Sequence, residues 1–171
     1  MSKLTSYFSS YSGTRPNDTT AYSNGDVYGD NSKTLGTQIK FDNLGKADSS
    51  VMLTSGCLSL QTDLIPSERP FSGFRLYLYN VARPVGIPDN LQWFLFDSGQ
   101  GIDERNKYRG YIDFIPYISL SNAYLYFQNN NINKQIKLSS SALYGHLVTL
   151  GTYSNPGAST QFTIELNTVQ L

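Results

Sequence analysis

Apolar and polar residues alternate along this chain with a period of two, and no segment carries the three-to-four spacing of a capped amphipathic helix. In Gly73–Val81, Phe74, Leu76 and Leu78 share one face and Arg75, Tyr77 and Tyr79 the other. Ala123–Gln128 repeats the arrangement, with Leu125 and Phe127 opposite Tyr124 and Tyr126. Clusters of Gly, Pro, Asn and Ser separate the runs, so strands are expected at Thr37–Asp42, Ser50–Thr62, Gly73–Val81, Leu91–Asp97, Tyr108–Ile115, Ala123–Gln128, Ile136–Ser139, Ala142–Tyr153 and Ser159–Asn167. The pattern is all-β, a single β-sandwich whose outer faces are rich in tyrosine.

Two runs change parity. Val51 and Leu53 are odd, whereas Leu58 and Leu60 are even, so a bulge or bend is expected between them. Gly56 is the natural place, and a strand turning the corner between two sheets would show this pattern. Near the end, Phe162, Ile164 and Leu166 give way to Val169 and Leu171 on the opposite parity, which predicts that the last pair leaves the core face. The proline-rich connection 82–90 and the polar Asn129–Asn133 stretch belong at the rim.

At 171 residues the chain suits one core. Thirteen basic side chains balance thirteen acidic ones and are scattered, which disfavours a phosphate-tracking surface and hence a nucleic-acid partner. No apolar run approaches the roughly 20 residues of a spanning helix, so no membrane partner is expected. Tyrosine is abundant and charge is low, a composition shared by pleated strands and by protein interfaces.

The inventory for catalysis is thin. His146 and Cys57 are single copies, so neither a histidine-rich zinc site nor a thiolate cluster is available, and no nucleophile elbow accompanies them. Asp97, Asp103, Glu104 and Asp113 are the acids a glycosidase-like pair would draw on, but the neighbouring Arg105, Lys107 and Arg109 read more simply as a mixed-charge hairpin. Asn24, Asp26, Asp30 and Asn31 lack the spacing of a calcium loop and read as turn caps, and Gly99-x-Gly101 is too short to cradle phosphate. Tyr108-Arg109-Gly110-Tyr111 interleaves aromatic and basic residues, as a stacking platform for bases or sugars does, but with charge balanced overall a packed sheet face is the stronger reading and carbohydrate stacking the secondary one. No catalytic residue, cofactor or metal is expected.

The segment from Thr14 to Gly29 combines a proline-restrained turn, short polar residues that cap turns, and Asn-Gly-Asp before Val-Tyr. Residues 1–30 therefore read as an extended N-terminal arm, and residues 31–171 as the sandwich domain. Arg15, Pro16, Asp18, Thr19, Thr20, Tyr22, Gly25, Asp26 and Gly29 form an Arg-Pro-x-Asp-Thr-Thr-x-Tyr-x-x-Gly-Asp-x-x-Gly motif. This motif resembles one in small β-rich proteins encoded beside the major capsid proteins of tailed bacteriophages. Leu143-Tyr144-Gly145, Gly151-Thr152-Tyr153 and Ser159–Leu166 carry a second likeness, whereas the stretch from Ser50 to Ile136 diverges.

The resemblance implies a jelly-roll-like head decoration or cement protein, made in the host cytoplasm and bound to the capsid exterior. Its partners would be the major capsid protein and itself, as a homotrimer. On this reading Tyr7, Phe8 and Tyr11 anchor the arm, with Arg15, Pro16 and Tyr22 beside them. Tyr77, Tyr79, Tyr124, Tyr126, Val169 and Leu171 meet sister subunits or shell. The alternative is a host-recognition or carbohydrate-binding module of a head fibre or tail.

Overall fold

The computed structural model describes residues 4–29, 38–61, 72–83, 86–94, 96–97, 102–115, 117–121, 124–154 and 156–171. Twelve strands are found among them: β1 (Ser6–Thr14), β2 (Ile39–Phe41), β3 (Ser50–Gln61), β4 (Gly73–Tyr79), β5 (Phe96–Asp97), β6 (Ile102–Asp103), β7 (Tyr108–Phe114), β8 (Tyr117–Ser121), β9 (Tyr124–Asn129), β10 (Lys134–Lys137), β11 (Leu143–Leu150) and β12 (Gln161–Gln170). One sheet runs β1-β12-β3-β9-β8, with β10 also on β3, and the other runs β2-β11-β4-β7. β5 and β6 form a separate two-stranded ribbon.

The pairing has a simple logic. β1 pairs with β12, β2 with β11, β3 with β9 and β4 with β7, all antiparallel. The eight principal strands are thus one long double ribbon, outermost with outermost and innermost with innermost, rolled into two facing sheets. That is the jelly-roll order expected from the resemblance.

The even residues of β4 and β12 and both apolar parities of β3 point between the sheets. Leu58, Leu60, Phe127, Phe162, Ile164 and Leu166 from one sheet meet Phe41, Phe74, Leu76, Leu78, Phe114 and Leu147 from the other, all fully or almost fully buried. Each such side chain contributes about 1.5–3 kcal/mol on leaving water. Three tyrosines close one end of this core. The Tyr28 ring packs 5.2 Å from those of Tyr22, Phe74 and Phe162, and 6.4 Å from that of Tyr153.

The parity change in β3 is a bulge, but not at Gly56. Asn167 pairs with Ser55 and Thr168 with Leu53, leaving Thr54 as the extra residue. Its hydroxyl donates to the Asn167 carbonyl at 3.1 Å. β3 also stays within one sheet instead of turning a corner, because β12 accompanies it along nearly its whole length while β10 and β9 share its other side. Gly56 has a different reason to be small: a Cβ there would lie 3.1 Å from Leu166 Cδ2 and 3.2 Å from the Glu165 carbonyl.

At the end of β12 the core parity is kept by Thr168, buried with its hydroxyl donating to the Leu44 carbonyl at 2.6 Å. Val169 and Leu171 accordingly leave the core face, as their parity predicts, with Leu171 58% exposed. β12 is an interior strand, flanked by β1 and β3, so it offers no free edge.

Two further expectations fail. The first is the arm: residues 6–14 are β1, the first strand of the roll, and Arg15, Tyr22, Val27 and Tyr28 are buried. Strand β1 escaped the sequence pattern because its inward residues are Tyr7, Ser9, Tyr11 and Gly13, whose polarity scarcely differs from that of Ser6, Ser10 and Ser12. The second is the continuous strand Leu91–Asp97: among the described residues Phe96–Asp97 is a strand and Gln92 makes an isolated bridge to Asp26. Trp93 and Phe94 instead lie over the outer face of the four-stranded sheet, packed with Val27, Tyr77, Ile87 and Val148.

Candidate functional site

The motif region is held from within. Tyr22 and Tyr153 exchange backbone hydrogen bonds at 3.0 Å, Gly25 and Asp26 bond Thr149, and Tyr28 N–H reaches the Leu147 carbonyl at 2.8 Å. Residues 22–28 thereby extend the four-stranded sheet beside β11. On their other side Val27 bonds Asn90 and Leu91, and Trp93 N–H donates to the Gly25 carbonyl.

Arg15 is the centre of this arrangement and is entirely buried. Its Nε donates to Tyr22 Oη at 2.5 Å, its Nη1 to the Asp18, Pro156 and Gly157 carbonyls at 2.6, 2.9 and 3.1 Å, and its Nη2 to Asp18 Oδ1 at 2.8 Å. Tyr22 passes the polarity on, donating to Asp89 Oδ1 at 2.7 Å, which also accepts Gly29 N–H at 2.5 Å. A guanidinium fits because its planar fork reaches several fixed acceptors at once. Burial alone would lower the Arg15 pKa, but Tyr22 and Asp89 outweigh it and hold the group protonated. Burial raises the Asp89 pKa, with the Tyr22 and Gly29 donors opposing.

The smaller motif residues have local tasks. Asp18 Oδ1 accepts Thr20 N–H at 2.9 Å and Asp26 Oδ2 accepts Ser23 N–H at 2.6 Å, both short side-chain caps of turns. Asn24 Oδ1 accepts Gly151 N–H at 2.8 Å, and Gly25 holds the left-handed φ of +94° that the turn needs. Asn24 and Asp26 are thus turn caps, as read from sequence; Asp30 and Asn31 lie outside the described residues. The motif is a clasp joining the start of the chain to residues 147–160.

Arg15, Tyr22 and Tyr79 are buried and cannot serve as surface contacts. Tyr79 lies under Arg83 and Trp93, accepting from Trp93 Nε1 at 2.9 Å, and Tyr77 is stacked on Trp93 with ring centres 3.5 Å apart. Tyr11 packs against the core and Tyr7 and Pro16 are half-buried.

The fold brings Phe8, Tyr124, Tyr126 and Val169 onto one surface, the outer face of the six-stranded sheet. Its rows follow from the register: Phe8, Asn167 and Ser55; Ser10, Glu165, Cys57 and Gln128; Ser12, Thr163, Ser59 and Tyr126. Phe8 is 54% and Tyr124 45% exposed. Glu165 is the one charged residue in these rows.

The acids a hydrolytic pair would need are each tied to a different cation. Asp103 binds Arg105 at 2.7 Å, which draws its pKa down to about 2, Asp113 binds Arg75, and buried Glu104 contacts Arg83 and Lys107. The Asp97 side chain, Gly99 and Gly101 lie outside the described residues. Cys57 donates to Glu165 Oε2 at 3.0 Å, and burial with that contact pushes its thiol up to about 11. It faces outward from β3, on the side of the sandwich away from His146. Among the described residues no three His, Cys, Asp or Glu side chains converge as a metal would require.

His146 is a buried wall residue. It is inaccessible, packs edge-on against Tyr79 at 5.7 Å, and has no hydrogen-bond partner for either ring nitrogen among the described residues. Desolvation, then the charge of Arg83, depress its pKa to about 3. The native state therefore refuses a proton that the unfolded chain accepts below about pH 6.5. Stability should be fully present above pH 6.5 and fall progressively toward pH 3, by on the order of 4 kcal/mol in total. Denaturant midpoints measured across this range should show the slope, and His146→Phe should flatten it.

No protein-family model matches the chain, and no curated protein matches it in sequence.

Proposed function

We propose that this chain is a structural protein of a tailed-phage virion that decorates or cements the capsid shell by binding the major capsid protein, and that it acts as a homotrimer on the capsid exterior. The N-terminal motif supports the reading through its resemblance. The observation that carries it is the broad, nearly uncharged outer face of the six-stranded sheet, where Phe8, Tyr124, Tyr126 and Val169 lie together on a rigid surface. Such a face loses little on desolvation, since neutral hydroxyls and amides cost far less to bury than charges, and aromatic residues are favoured at interfaces.

The contact belongs to this face and not to a free arm. Removing residues 1–29 deletes β1, Arg15, Tyr22 and Tyr28, and with them the fold. Point changes are the suitable test. Capsids stripped of this protein should rebind the wild type, and Phe8→Asp or Ser59→Arg should weaken rebinding by about tenfold or more, the value of roughly 1.4 kcal/mol, at unchanged thermal stability. A particle reconstruction should show many copies over the head; a few copies at the tail would favour host recognition instead. Full rebinding by both variants would remove the sheet face from the mechanism.

A further inference from the structure

Tyr111 stands on the outer side of β7, 43% exposed, and its surroundings are charged and fixed. Across the strand pair it faces Tyr77, and the next outward pair is Arg75 with Asp113. Arg75 donates from Nε to Asp113 Oδ1 at 2.7 Å and from Nη2 to Oδ2 at 2.9 Å, and its guanidinium carbon lies 3.8 Å from the Tyr111 ring centre. A second cation arrives from the other sheet: Lys134 of β10 brings its Nζ within 5.9 Å of the same ring centre. It forms no ion pair among the described residues. Gly110 makes room for it, since a Cβ there would sit 2.7 Å from Lys134 Nζ.

The patch holds what a sugar ring requires. Each Asp113 oxygen accepts one bond from Arg75 and keeps capacity for a hydroxyl, and the coplanar pair is a fixed template for adjacent hydroxyl groups. A half-exposed aromatic ring beside it suits the C–H face of a pyranose. The bidentate pair and the Tyr77–Tyr111 contact, with ring centres 6.1 Å apart, hold these groups in place, so little side-chain freedom is lost on binding. The unpaired ammonium of Lys134 adds a preference for a negative group.

We propose that Tyr111, Arg75, Asp113 and Lys134 form a binding site for an acidic saccharide, a pyranose bearing a carboxylate, with the ring against Tyr111 and the carboxylate on Lys134. Tyr111, Arg75 and Asp113 lie on the outer side of the four-stranded sheet, with Lys134 reaching them from β10 of the other sheet, away from the outer face assigned to capsid binding, so the two readings stand or fall separately.

The test is a glycan array carrying neutral, uronic-acid and sialylated glycans, probed with the intact protein. Carboxylate-bearing glycans should be retained, with Tyr111→Ala weakening retention by about tenfold and Lys134→Gln by about fivefold, equivalent to roughly 1 to 1.4 kcal/mol. Tyr124→Ala, on the other sheet, should change nothing, and all three variants should keep the wild-type melting temperature. No retention of acidic glycans, equal retention of neutral ones, or retention indifferent to Tyr111→Ala and Lys134→Gln would overturn the proposal.

Discussion

Replacing Arg15 by methionine should cost the protein about 3–5 kcal/mol, the range for removing one member of a buried charged network. The loss is large because it is shared. Without the guanidinium, Tyr22 Oη and the Pro156 and Gly157 carbonyls lose a donor, and Asp89 is left partly buried without its compensating cation. Against a typical domain stability of about 5–15 kcal/mol this is roughly a fifth of the total or more. Arg15→Lys should recover only part of it, since one ammonium cannot reach acceptors arranged around a planar fork. Tyr22→Phe, which keeps the cation and removes only the hydroxyl, should cost about 1–3 kcal/mol. Urea midpoints of the three variants would rank them, and an Arg15→Met protein as stable as wild type would show that the clasp is dispensable.

The second large effect belongs to Arg83 and Glu104, both buried and in ionic contact through Nε and Oε2. Arg83 also donates to the Phe94 carbonyl at 3.1 Å and lies over the Tyr79 and Phe94 rings, at 5.6 and 5.1 Å. Glu104 has Lys107 as a further partner at 3.3 Å. Arg83→Met should cost about 3–5 kcal/mol, because it leaves a buried carboxylate with only a half-exposed lysine. Pairing it with Glu104→Leu should restore most of the loss, since an apolar pair incurs no desolvation of charge. The only tryptophan is well placed to report the event. Trp93 is stacked on Tyr77 within the segment that Arg83 anchors, so its fluorescence in Arg83→Met should change at lower denaturant than the circular dichroism of the sheets. Coincident transitions would mean that the segment and the sandwich unfold as one unit.

What the sequence disclosed was whatever period two expresses. Phe74, Leu76 and Leu78, or Leu125 and Phe127, face the core as their spacing requires, and the parity change in β3 announced a bulge within two residues of its position. β1 was hidden because its inward face is built of Tyr7, Ser9, Tyr11 and Gly13 while Phe8 sits among the serines of the outward one, and the pattern has force only where the two faces differ in polarity. Arg15 was misread for a related reason: an arginine belongs outside unless its acceptors are known. Those acceptors lie at Pro156 and Gly157, where local spacing says nothing. Tyr77 and Tyr79 were correctly assigned to the outer side of β4, yet a sheet's outer side is surface only if no loop returns to cover it. The pairing of Arg75 with Asp113 beside Tyr111 was equally out of reach, because it depends on the register between two strands.

Joining the first strand of the roll to the last has a consequence for how the molecule is made. Arg15 and its Pro156 acceptor are 141 residues apart, and among the described residues β1 finds its strand partner in β12 alone. At synthesis rates of about 5–20 residues per second, β1 waits on the order of 10–30 s before its partner exists. During that interval the double ribbon can pair only from its centre outward, β4 with β7 and then β3 with β9, and the outermost turn closes last. Such long-range closure makes for slow folding. The same ring of contacts that fixes the finished sandwich thus leaves its beginning, Phe8 included, open to other strands for much of its early life.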